Sequence, residues 1–149
     1  MAISLPPLQR LLENPRYAGI YHLPLSGQAA LKAAAAAAGF AVFEVGLGDA
    51  DRIDEVLAKL GHDLDLPRWY GQNYDALKDC LSDFSWHEAP GYVVIVSRAE
   101  TLAAENPAAF RTLNEVIAAV IDEWRSRDVP MWVFYDLRAD GLASLPTLA

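Results

Sequence analysis

FAVFEVGLGDADRIDEVLAKLG, residues 40–61, changes hydrophobic period partway along. Residues 40–45 are aromatic and β-branched with no charge before Glu44, as expected for a strand covered on both faces. Gly46 and Gly48 then turn the chain. Ile53, Val56, Leu57 and Leu60 recur at i, i+3, i+4 and i+7, one stripe of a helix that Gly61 ends, with Asp49 and Asp51 at its start. A strand, a glycine turn and an amphipathic helix form half of a crossover unit, so a second strand parallel to the first is expected.

Downstream, a loop (HDLDLPRWYGQ, residues 62–72) leads to a helix over residues 73–84, and GYVVIVS, residues 91–97, is a second continuous β-branched run. Asn106 and Pro107 form an N-cap and first-turn pair for a long helix on which Phe110, Leu113, Val116, Ile117, Val120, Ile121 and Trp124 repeat at helical spacing. Pro130 leads into the last strand, MWVFYDL. Upstream, GIYHL from Gly19 reads as a short strand, and Ser26 opens a helix through the alanines at 33–38 that Gly39 closes. Pro6, Pro7 and Pro15 around LQRLLE suggest a loosely packed arm with a helical turn or two. The fold class is α/β: a small, mainly parallel sheet of about four strands covered by helices, in one domain over residues 1–149.

The chain of 149 residues is 53% hydrophobic and 21% charged, so it buries a core of ordinary size. Twenty acidic against 12 basic residues leave a formal charge of −8, which repels phosphate backbones and anionic lipid and favours basic partners. Direct nucleic-acid binding is therefore not expected. A lone cysteine, Cys80, makes no intramolecular disulfide, and the first sixteen residues lack the pattern of a secretion signal, so the expected address is the cytoplasm. The alanine-rich stretch over residues 29–43 is interrupted by Lys32 and too short to cross a membrane.

Motifs for chemistry are absent. VGLGDAD, residues 45–51, has Asp51 where a dinucleotide fingerprint needs its third glycine, and reads as a turn with an acidic N-cap. His22, His62 and His87 are scattered without metal-ligand spacing, and Asp63 and Asp65 lack the other ligands of a calcium loop. Cys80 lies between inward positions Leu77 and Phe84 and reads as a small buried hydrophobe. No cofactor, metal or enzymatic activity is expected, because no paired acid and base stands in a recognisable motif.

On the helix over residues 73–84, Ala76, Leu77, Cys80, Leu81 and Phe84 form the apolar stripe, leaving Asp75, Lys78, Asp79, Ser82 and Asp83 outward. Asp75 and Asp79, at i and i+4, disfavour the isolated helix by roughly 0.2 to 0.5 kcal/mol. The helix dipole and Lys78 account for Asp75 but less well for Asp79. Two readings stay open: a solvated surface helix, or a protein-binding hot spot of paired acids beside Trp69, Tyr70 and Tyr74.

LPRWYGQNYDALKDCLSDF, residues 66–84, resembles the signature segment of the barstar family, intracellular inhibitors of guanyl-type ribonucleases such as barnase. The resemblance extends over a core of about residues 40–137, with residues 1–39 as an N-terminal strand and helix extension. It implies a barstar-like fold and a protein that plugs the active site of a basic nuclease, secreted or a toxin, by steric blockade. By position, Asp79 would be the central carboxylate, Asp75 its neighbour, and Trp69 the ring presented to the nuclease. Glu123 would be a peripheral acid on the long helix, while Gly71 and Asn73 would shape the loop. Tyr70, Tyr74, Lys78, Ser82 and Asp83 flank them. The chain departs from the family at Lys78, where barstar has a tryptophan, and at Asp83, which replaces a small residue. A cation there disfavours a purely cationic partner, so a regulatory or scaffold protein binding a basic partner other than a nuclease is the second hypothesis.

Overall fold

Runs rich in β-branched and aromatic residues form most of the sheet. In the computed structural model, which describes residues 8–23, 27–67, 71, 73–84, 87–137 and 143–144, five strands pair in parallel: β1 (Gly19–His22), β2 (Ala41–Gly46), β3 (Tyr92–Ser97), β4 (Met131–Tyr135) and β5 (Ala143–Ser144). Their order is β2-β3-β4-β1-β5. The two-residue β5 adds one strand to the expected four. YVVIV and MWVFY are buried along their length, as befits strands with neighbours on both sides and cover on both faces.

FAVFEV does not match its reading as a strand covered on both faces. β2 lies at the sheet edge, with Ala41, Val42 and Phe43 half-buried and Glu44 exposed. Glu44 pairs with Lys32 at 2.7 Å, and a charged side chain on an edge strand discourages further strand pairing.

Parallel neighbours need crossovers. α3 (Ile53–Asp63) and α4 (Tyr74–Asp83) supply them between β2 and β3, and α5 (Glu100–Glu105) and α6 (Pro107–Arg125) between β3 and β4. α3 runs through Gly61 to Asp63 instead of ending there, because Leu64 N–H closes on Leu60 O at 2.9 Å and brings Leu64 into the core. Glycine inside a helix costs only about 1 kcal/mol, which that burial offsets. Arg52, not an aspartate, holds the N-cap position of α3 and makes no side-chain cap; the acids Asp54 and Glu55 lie in the first turn. α5 went unread because its six residues are too few to show a period.

α1 (Leu8–Glu13) and α2 (Gln28–Ala37) precede these elements. From Leu8, where the described residues begin, the arm is not loosely packed, since Leu11 and Leu12 are buried and α1 packs on α2. Ser26 lies outside the described residues. Gly39 does end the alanine helix, adopting φ +77° just past it, a left-handed conformation that suits glycine.

Val94, Val96, Met131 and Val133 pack against Leu60 and Leu64 of the α3 region, Leu77 and Leu81 of α4 and Ile117 of α6, around an apolar cavity of about 20 Å³. An aromatic column runs along the same side: Phe43 on Phe84 at 5.2 Å, Phe84 on Tyr92 at 4.9 Å, and Tyr92 on Trp124 at 5.2 Å. This column fixes the C-terminal end of α4 against the sheet. Among the described residues, no helix is long and apolar enough to cross a membrane.

Candidate functional site

α4 starts where Asn73, in extended conformation, accepts the Ala76 N–H on its side-chain oxygen at 2.8 Å. This satisfies one of the donors that the first helical turn leaves unpaired. Gly71 sits close by: a Cβ there would meet Asn73 Nδ2 at 3.3 Å, so the chain approaches its own cap too closely for a larger residue to enter freely. Gly71 and Asn73 therefore shape the entrance to α4. Trp69 and Tyr70 lie outside the described residues.

Leu77, Cys80, Leu81 and Phe84 are buried, as the stripe requires. Burial, then the charges of Asp79 and Asp83, push the Cys80 thiol above its usual pKa, which suits packing and not nucleophilic attack. Phe84 closes the helix at φ 42°, a conformation costly for a bulky residue, held here by its stacking between Phe43 and Tyr92.

The outer face carries Asp75, Lys78, Asp79 and Asp83, all exposed. The Asp75–Lys78 pair that would make this an ordinary solvated helix is not formed. Among the described residues, Asp75, Lys78 and Asp79 have no ion pair at all. Two adjacent carboxylates are thus presented one helical turn apart without an internal cation.

Ser82, expected on this face, and Tyr74, expected beside it, are drawn inward. Ser82 is half-buried, its hydroxyl oxygen is enclosed without a hydrogen bond, and its carbonyl accepts from Arg127 Nη1 at 2.6 Å. Tyr74 is half-buried, and its hydroxyl is directed at Ala109 O at 3.5 Å; burial raises its pKa. Glu123 lies on α6 beside the last turn of α4, half-exposed, and accepts from Arg127 Nη2 at 3.0 Å. Arg127, two residues past the end of α6, was not legible as part of this region, although it stands at i+4 from Glu123.

The remaining polar residues do other work. Asp63 accepts the Gly46 N–H at 3.0 Å and lies 2.8 Å from His62 Nδ1, tying the end of α3 to the outer edge of β2. Asp49 pairs with Arg98 at 3.4 Å, and the Asp51 carbonyl accepts from Asn106 Nδ2 at 3.1 Å. His22 is buried, and His87 meets the Phe43 ring edge-on at 5.0 Å. No group of three or more His, Cys, Asp or Glu is placed to hold a metal among the described residues. What the outer face of α4 presents is an acidic ridge.

A family model described as Barstar (barnase inhibitor) matches residues 40–136, the span from β2 to the end of β4 that holds every site residue discussed above. No curated protein matches the chain. Among solved structures, one described as "Structure of Drosophila ORC bound to AT-rich DNA and Cdc6" is similar at 15% identity and a TM-score of 0.42, over 87% of this chain and 48% of that one. The chain thus spans about half the length of that protein, and so low a likeness carries no argument.

Proposed function

The chain belongs to the barstar family, and from that premise we propose that it is a cytoplasmic inhibitor of the immunity or antitoxin type, which binds a basic ribonuclease and blocks its active site with the loop and α4. The observation that carries this reading is the pair Asp75 and Asp79, exposed on α4 without an internal ion pair among the described residues. A nuclease site that holds phosphates has a positive potential. An acidic helix set on a rigid scaffold gains steering on approach and buried charge pairs on docking. Such an inhibitor works by occupancy alone and needs no cofactor. Trp69 would supply the aromatic contact, and Asp79 the central carboxylate.

The test is the affinity of wild type and Asp79→Ala for barnase. Truncating one partner of a buried, hydrogen-bonded charge pair costs about 2 to 5 kcal/mol, a range that already draws on the barnase–barstar pair itself. Asp79→Ala is expected to lose that much while its thermal unfolding stays at the wild-type temperature. Equal affinities for the two proteins would overturn the assignment of Asp79.

Lys78 favours a second reading. It is exposed on the same face with no ion pair among the described residues, so a cationic site facing it meets a like charge. A regulatory or scaffold protein would use the same ridge on a basic partner of mixed charge that is not a nuclease. RNA cleavage in the presence of the protein separates the two readings, since only the inhibitor suppresses it.

A further inference from the structure

The last carbonyls of a helix have no partner within it, and what satisfies them sets where that end of the helix sits. In α4 the Cys80 carbonyl is closed by the Phe84 N–H at 3.1 Å. The next two are taken by Trp124 of α6 and by Arg127 just past its end: Trp124 Nε1 donates to Leu81 O at 2.7 Å, and Arg127 Nη1 donates to Ser82 O at 2.6 Å. The guanidinium also lies over the Trp124 ring, 4.9 Å from its centre, and its other nitrogen donates to Glu123 Oε1 at 3.0 Å. One cation therefore joins the negative end of the α4 dipole, an indole face and a carboxylate of α6. Each contact restrains the guanidinium in a different direction.

We propose that Arg127 is a positioning residue for the acidic face: it holds the C-terminal end of α4 at a fixed height on α6, and Glu123 serves to orient Arg127 rather than to meet a partner. Asp79 lies one helical turn before Asp83, so a shift of this end would carry its carboxylate with it. The guanidinium fork suits the task because two parallel arms reach two acceptors at once, which an ammonium does with less fixed geometry. The significance for binding rests on the function proposed above, whereas the test concerns α4 alone and stands if that function fails.

The experiment is amide hydrogen exchange on the full chain, with urea unfolding alongside, for wild type, Arg127→Ala, Arg127→Lys, Glu123→Gln and the exchanged pair Glu123→Arg with Arg127→Glu. Arg127→Ala is expected to speed exchange at Leu81, Ser82 and Phe84 on the order of tenfold, with the amides of β3 and β4 left near wild type. Arg127→Lys recovers part of the protection. Glu123→Gln gives a smaller loss in the same direction. The exchanged pair keeps an i, i+4 ion pair but has no donor at position 127 for Ser82 O, and is expected to behave like Arg127→Ala. The indole N–H resonance of Trp124 moves in each variant that loosens the end. Three results would overturn the proposal: wild-type exchange in Arg127→Ala, wild-type exchange in the exchanged pair, or a uniform rise across α4 and the sheet, which would mark a general contribution to stability.

Discussion

Asn73 caps α4 through one hydrogen bond to its side chain, and Asp63, at the end of α3, accepts two. The sequence starts a helix at Asn73 without marking it as the cap, although an Asn directly before an amphipathic run has one strongly preferred use there. Asn73→Ala removes the bond to the Ala76 N–H and is expected to lower unfolding stability by about 1 kcal/mol, measured in urea. The part of Asp63 is not legible from the loop in which the sequence places it, since its partner Gly46 lies on another element and no local pattern announces it. Burial opposes ionisation of Asp63, but the hydrogen bonds from His62 and the Gly46 N–H, with the charges of His62 and Lys59, outweigh it and hold the carboxyl below the usual value. A carboxyl whose pKa is lower folded than unfolded contributes stability above the unfolded value, about 3.9, and loses it as pH falls through the folded one. Acid unfolding of wild type is therefore expected to steepen below about pH 4, and Asp63→Asn to remove that part of the slope. Superimposable pH profiles for the two proteins would contradict the assignment.

At the scale of elements, α4 and α6 were the clearest in the sequence, since each combines an asparagine cap with an unbroken apolar stripe. The edge position of β2 was not legible, because a short apolar run looks the same whether it has one neighbour or two; Glu44 was the only sign. The contacts between α4 and α6 were equally hidden. Neither Trp124 as a donor nor Arg127 as a bridge follows from spacing on one helix, because the acceptors, Leu81 O and Ser82 O, are backbone groups more than forty residues away. Glu123, expected as a peripheral acid of the binding face, also has a contact within the molecule, its carboxylate accepting from Arg127. Trp124→Phe keeps the ring against Tyr92 but leaves the Leu81 carbonyl without its donor. A loss of about 1 to 3 kcal/mol in urea unfolding is expected, the cost of an unsatisfied buried acceptor. A midpoint equal to that of wild type would show that water replaces the indole.

For the whole molecule, the family match begins at Phe40, yet the sheet does not. β1 lies between β4 and β5, pairing Gly19, Ile20, Tyr21 and His22 with Trp132, Val133, Phe134 and Tyr135. Trp132 Nε1 donates to Tyr17 O at 3.0 Å, and Arg125 Nη2 donates to Ala18 O at 2.7 Å. The segment before Phe40 is thus built into the sheet, with Leu11, Leu12, Leu23 and Leu31 buried. A protein of residues 40–149 is expected to show no cooperative thermal transition, because β4 would lose a parallel neighbour and Trp132 its acceptor; a sharp transition near that of the full chain would refute this. The strand and helix of this segment were legible in the sequence as an extension, but their place in the sheet was not, since strand order is set by packing between distant elements. The central claim, that the acidic face of α4 blocks a basic ribonuclease, is tested most directly by following RNA cleavage by barnase as the full chain is titrated in. Cleavage falling to zero at one equivalent of wild type, and persisting with Asp79→Ala, is the predicted result; cleavage undiminished at saturating wild type would contradict it.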